Sequence, residues 1–119
     1  MIRMIYDDVK KELLNIFTHV KNARNAVKLR KDIGAARKEF ATAYQLAHRL
    51  MVFLKGQKTK YPALEKTYEK LGAAYSEIFD GWKKGLSGPE IEAICKTVEH
   101  TLSTESLNMD IIKKEKAAA

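Results

Sequence analysis

One cysteine, two prolines and six glycines among 119 residues leave little room for several kinds of protein. Cys95, standing alone, can form neither an intramolecular disulfide nor a cysteine zinc cluster. A reducing compartment is expected, and the cytoplasm fits it. The longest purely apolar run, Leu50 to Leu54, falls far short of the roughly 20 residues that span a bilayer. The first residues carry Arg3 but run straight into Asp7 and Asp8, so no signal peptide is expected. With so few helix breakers, long uninterrupted helices can form.

Chemistry-bearing motifs are equally scarce. His19, His48 and His100 are the only histidines, and helical spacing sends His48 and His100 away from the core stripes, so the three are not expected to converge. No Glu has a His three positions on, as the helical di-iron centres require. Gly-rich phosphate loops, nucleophile elbows and His-Glu zinc motifs are missing. The carboxylate pairs Glu65 and Glu69, Glu77 and Asp80, and Glu90 and Glu92 each lie beside lysines that would neutralise them on a surface. Cys95 reads as a small buried hydrophobe, since Lys96, its neighbour in sequence, belongs to another helical face. No catalytic residue, metal site or cofactor is expected.

What is present is helical periodicity. Ile2, Tyr6, Val9, Leu13, Ile16, Val20, Ala23 and Val27 follow one another by threes and fours, which keeps them on one face. The stripe fails at Arg30 and Lys31, where Asp32 can cap a second helix. That helix has Ile33, Ala36, Phe40, Ala43, Ala47, Leu50 and Leu54 as its inner face and ends near Gly56, with Lys55 to Lys60 connecting onward. Pro62 suits the first turn of a third helix, whose inner face is read as Leu64, Tyr68, Leu71, Tyr75, Ile78 and Trp82. Ser87 and Glu90 have capping-box spacing at the head of a fourth, followed by Ile91, Cys95, Val98 and Leu102. Ser103, Thr104 and Ser106 leave open whether this helix continues through Glu105, Met109 and Ile112 or yields to a short fifth one.

The expected fold is all-α: a four-helix up-and-down bundle, with helical hairpins exchanged between subunits as the alternative. It forms a single helical domain over residues 1–116. Ala117 to Ala119 is a helix end or a cloning remnant.

Charge is unevenly spread. Residues 1–60 hold 14 Lys and Arg against 5 Asp and Glu, a net of +9, whereas residues 61–119 hold 8 against 10, a net of −2. The excess concentrates in Lys21, Arg24, Lys28, Arg30, Lys31, Arg37 and Lys38, and Lys21, Arg24, Lys28 and Lys31 line up on one helical face. An up-and-down bundle would gather Arg30, Lys31, Arg37, Lys38, Lys83 and Lys84 at one end, because odd-numbered connections share an end. Such a surface attracts nucleic-acid phosphates, an anionic membrane surface or an acidic protein. A solvated lysine-rich surface of the heat-adapted kind has the same composition, with 17 of the 22 cations being lysine. No zinc-finger, helix-turn-helix or aromatic RNA-binding signature accompanies it.

The second helix also carries apolar excess. Leu46, Ala47, Leu50, Met51, Phe53 and Leu54 cover an arc of roughly 160°, with Val52 outside it. The leading functional expectation is therefore a non-enzymatic interaction protein that self-associates, or joins a larger complex, through Leu46, Val52 and Phe53. The alternative is an accessory nucleic-acid-binding protein using residues 21–38.

Overall fold

A computed structural model describes residues 2–118 of the chain, with side chains for residues 5–116. Four helices fill it: α1 (Ile2–Arg30), α2 (Ile33–Gln57), α3 (Leu64–Lys83) and α4 (Gly88–Ala118). They pack in a ring in which α1 neighbours α2 and α4 while α3 closes the circuit between them, giving an elongated body of 49 × 23 × 17 Å. The expected up-and-down bundle is the observed fold, closed within one chain rather than by exchange of hairpins. The Ile2 side chain, assigned to the first stripe, lies outside the described ones.

Local chemistry sets the helix ends. At the end of α1, Lys31 takes the left-handed conformation (φ 56°) and donates its N–H to Val27 O at 3.1 Å, while Asp32 N–H reaches Ala26 O at 3.0 Å. Asp32 then caps α2, its Oδ1 accepting from Ala35 N–H at 2.9 Å. The reciprocal box at α4 forms as its spacing requires: Ser87 N–H donates to Glu90 Oε1 at 3.0 Å and Glu90 N–H to Ser87 Oγ at 3.4 Å. These bonds hold the Glu90 carboxyl below the ordinary carboxylate range, the backbone N–H contributing most.

Two boundaries differ from expectation, and one left open by the sequence is decided. α2 extends to Gln57, so the connection is Lys58–Ala63. Pro62 precedes α3, its carbonyl accepting from Glu65 N–H at 3.1 Å in the tight turn that leads into the helix. α4 is continuous through Ser103, Thr104 and Ser106, with no fifth helix among the described residues. The Ser106 hydroxyl donates to Leu102 O at 2.8 Å instead of competing with the helix.

The core is one cluster drawn from all four helices, including Tyr6, Leu13, Ile16, Phe40, Leu54, Leu71, Ile78, Ile91, Leu102 and Met109. Ile33 was expected on the inner face but stands 40% exposed in the first turn of α2. A larger correction concerns α3. Its buried positions are Leu64, Thr67, Leu71, Ala74, Ile78 and Gly81, an alternation of large and small residues, while Tyr68, Tyr75 and Trp82 lie half-buried beside it.

The cause is the approach of α2. The Phe40 ring is fully buried against Gly81, where an added Cβ would sit 2.9 Å from two ring carbons. No bulky side chain fits at that point. Replacing Gly81 by Ala is expected to destabilise the bundle by about 1 kcal/mol, overpacking outweighing the gain in helix propensity. Gly72→Ala, whose Cβ would meet Met51 Cε at a comfortable 3.6 Å, is expected to stabilise it by up to about 1 kcal/mol. Urea midpoints of the two variants should move in opposite directions.

Candidate functional site

Once Phe40 claims the space against Gly81, the large rings of α3 have only the seam with α2 to occupy. Tyr44 stacks on Tyr75 with centroids 4.7 Å apart, and stands 5.1 Å from Trp82 and 5.6 Å from Phe79. His48 adds a ring 6.2 Å from Tyr75. Burial, followed by the neighbouring Tyr44 phenol, pushes the Tyr75 hydroxyl up to about 12, so it stays neutral at any physiological pH. Phe79 is exposed and Trp82 half-exposed, so the cluster is a partly open aromatic surface.

Cations border these rings. Lys83 Nζ lies over the Trp82 ring at 4.4 Å from its centroid, and Lys58 Nζ over Tyr68 at 4.6 Å. Arg37 Nε donates to Trp82 O at 3.2 Å, tying the start of α2 to the end of α3. Between these helix ends lies an open cleft of about 220 Å³, walled by Trp82 and bordered by Arg37 and Lys38, with Gly34 and Ala41 the other lining residues.

The seven basic candidates fall into distinct settings. Arg24 is not free: its Nε donates to Glu99 Oε2 at 2.7 Å and its Nη2 to Glu99 Oε1 at 3.2 Å, in a largely covered pair between α1 and α4. The Glu99 carboxylate raises the Arg24 pKa further, chiefly through that hydrogen bond. The expected α1 line is thus broken in its middle. Lys21, Lys28, Arg30, Lys31, Arg37 and Lys38 are exposed and form no ion pair among the described residues. Lys84, itself exposed, pairs among the described residues only with the partly exposed Asp80, at 3.4 Å. Gly88 lies against Val27, which brings the α3–α4 connection beside the α1–α2 turn and gathers the cations of both at one end.

Lys31 adds a detail to that end. It is the only described non-glycine residue with positive φ, a conformation that costs an ordinary side chain about 1–2 kcal/mol and suits glycine far better. The φ favours glycine there, whereas the carbonyl end of α1 favours the lysine's positive charge.

The interface candidates diverge. Leu46 packs half-buried against the core, Val52 is 59% exposed, and Phe53 is 41% exposed beside Asp8, Glu12 and Arg49 in an α1–α2 cleft. Val52 and Phe53 are adjacent in sequence, hence about 100° apart around α2 and on different faces.

The histidines remain separate: His19 Nδ1 lies 2.7 Å from Glu39 Oε2, His48 joins the aromatic seam, and His100 is exposed. Two carboxylates are covered: Glu105, on the continued α4 stripe, and Glu77, which spacing placed on the surface. Glu105 is buried between α3 and α4, accepting from Thr67 Oγ1 at 2.9 Å and Asn108 Nδ2 at 3.1 Å. Glu77 Oε2 is covered without a hydrogen-bond partner. No group of three or more His, Cys, Asp or Glu suited to a metal ion occurs among the described residues, and no described helix is long and apolar enough to cross a membrane.

The aromatic seam was the feature that spacing alone missed. Thr67, Ala74 and Gly81 recur every seven residues between Leu64, Leu71 and Ile78, and this small-large alternation was the available sign that the tyrosines and Trp82 lie off-centre. No family model, curated protein or solved structure matches the chain.

Cys95 completes the inventory as a buried thiol. Burial, with the Glu99 charge as a lesser cause, pushes it up to about 12, far from a reactive thiolate. A thiol reagent at about pH 8 should therefore label Cys95 only at the rate of unfolding. Rapid labelling of the native protein would place the thiol outside the core.

Proposed function

We propose that the chain is a non-enzymatic, accessory nucleic-acid-binding bundle that holds phosphates at the end shared by the α1–α2 turn and the α3–α4 connection. The observation that carries this reading is the convergence of Arg37 and Lys38 of α2, which border an open cleft walled by Trp82, with Lys83 of α3, whose ammonium rests on that same Trp82 ring. Ordinary solubility does not require cations from separate segments to meet at one aromatic wall. Arg30 and Lys31, both exposed, extend the positive surface around the α1 terminus. Of the α4 acids near this end, Glu99 is already engaged by Arg24 and Glu90 by the Ser87 cap. Phosphate contact through flexible, exposed lysines is sequence-independent, which suits an accessory rather than a base-reading role. A cytoplasmic setting belongs to the same proposal.

Self-association is the second reading, favoured by the exposure of Val52 and of Phe53 beside the α1–α2 cleft. It is compatible with the first, because a dimer would double the positive surface.

Binding of labelled duplex and single-stranded DNA and RNA, measured at about 50 and about 200 mM salt, tests the phosphate reading. Affinity should fall steeply with salt, and Lys38→Gln with Lys83→Gln should flatten the slope by about one per lost phosphate contact. Lys11→Gln, in the first half of α1, should leave it unchanged. Arg24 makes a poor probe, since its removal strands Glu99. Absence of binding at low salt would contradict the reading, and light scattering on the same samples reads self-association as a mass above 13.5 kDa.

A further inference from the structure

Phosphate binding alone leaves the aromatic surface beside the cations without a role. Resting on the reading above, we infer that the α2–α3 seam is a single-strand stacking site, in which one nucleobase enters the cleft of Gly34, Arg37, Lys38 and Ala41 and lies on the Trp82 indole. The neighbouring base of the strand meets exposed Phe79, whose ring stands edge-on to Trp82 at 6.2 Å, and the intervening phosphates face Arg37, Lys38 and Lys83.

Three features of the seam favour this occupant. First, the cleft has an aromatic wall in Trp82, with Gly34 and Ala41 leaving room beside it for a planar ring, and at about 220 Å³ it is smaller than the pockets that enclose drug-sized ligands. Second, Lys83 already rests its ammonium on the Trp82 ring at 4.4 Å. Lys83 is exposed and long, so an entering base can displace it from the ring face and leave it beside that base's own phosphate. Third, the charge is complementary to a polyanion and the rings are complementary to its bases, the combination that single-strand channels use. A duplex keeps its bases stacked on one another and offers a cleft only backbone and groove edges, so it gains from the cations and not from the rings. Tyr44 and Tyr75, stacked on each other and half-buried, act as the support that fixes Trp82 and Phe79 rather than as further platforms.

Trp82 is the only tryptophan of the chain, so its fluorescence reports the site directly. The intact protein is titrated at low salt with an oligothymidylate of about 12 nucleotides, a hairpin duplex of equal charge, inorganic tripolyphosphate and poly-L-glutamate. Saturable quenching by the single strand alone is expected. Ala41→Leu, which fills the cleft from a half-buried position of α2 and removes neither Trp82 nor a charge, should weaken single-strand binding about tenfold. The same variant should leave duplex affinity and helical circular dichroism unchanged. Equal quenching by duplex, or no effect of Ala41→Leu on a folded protein, would overturn the stacking site while leaving phosphate binding intact. Comparable quenching by poly-L-glutamate would overturn it in favour of an acidic protein partner. Failure of every nucleic acid to bind would overturn the phosphate reading and this inference with it.

Discussion

The contact between the Phe40 ring and the backbone of Gly81 is the constraint on which the rest of the arrangement depends. It brings α2 and α3 so close that a methyl group at position 81 would stand 2.9 Å from the ring. The centre of the α3 stripe is consequently limited to Leu, Ile, Thr, Ala and Gly. Larger rings spaced one residue further round the same helix cannot share that space and line the seam instead. Their exposure follows from close packing of the interior, which excludes them without any requirement for function. That the displaced rings lie beside Arg37, Lys58 and Lys83 is a matter of charge placement, and it gives the seam its chemical character.

A second constraint divides the cations. α1 and α4 run antiparallel and exchange charge along their length, Lys10 with Asp110 at 2.6 Å, Arg24 with Glu99 at 2.7 Å and Asp7 with Lys113 at 2.9 Å. The α1–α4 side therefore neutralises much of itself. Partly exposed pairs of this kind contribute little stability singly, and the more covered Arg24–Glu99 pair mainly fixes the register of the two helices. Positive charge left over concentrates toward the α1–α2 turn and the α3–α4 connection.

Much of this was legible in the sequence because it is local. Asp32 and the Ser87–Glu90 box announce their helices through short-range hydrogen bonds, and steps of three and four reveal which side of a helix is buried. Connection parity likewise predicts that residues near 31 and near 84 meet. Periodicity does not distinguish the centre of a stripe from its margin. On α3 the series Leu64, Leu71, Ile78 combines equally well with Tyr68, Tyr75, Trp82 or with Thr67, Ala74, Gly81, and only the position of Phe40 on another helix decides between them. The pairing of Arg24 with Glu99 and of Glu105 with Thr67 are also contacts across helices, invisible to spacing within one. The Ser-rich run of α4 left the helix's continuation open for a related reason: Ser106 returns its hydroxyl to the helix's own backbone, in buried surroundings that spacing does not reveal.

The central claim is that one place on the surface, the α2–α3 seam at its basic end, receives nucleic acid. Amide chemical-shift mapping during titration with a short single strand tests it most directly, because it reports every part of the bundle at once. The account predicts shifts concentrated at residues 34–41 and 79–85, with the Trp82 indole N–H among the largest, and little change along α4 beyond its first turn. Shifts spread evenly over the exposed lysines, or centred on Val52 and Phe53, would contradict it.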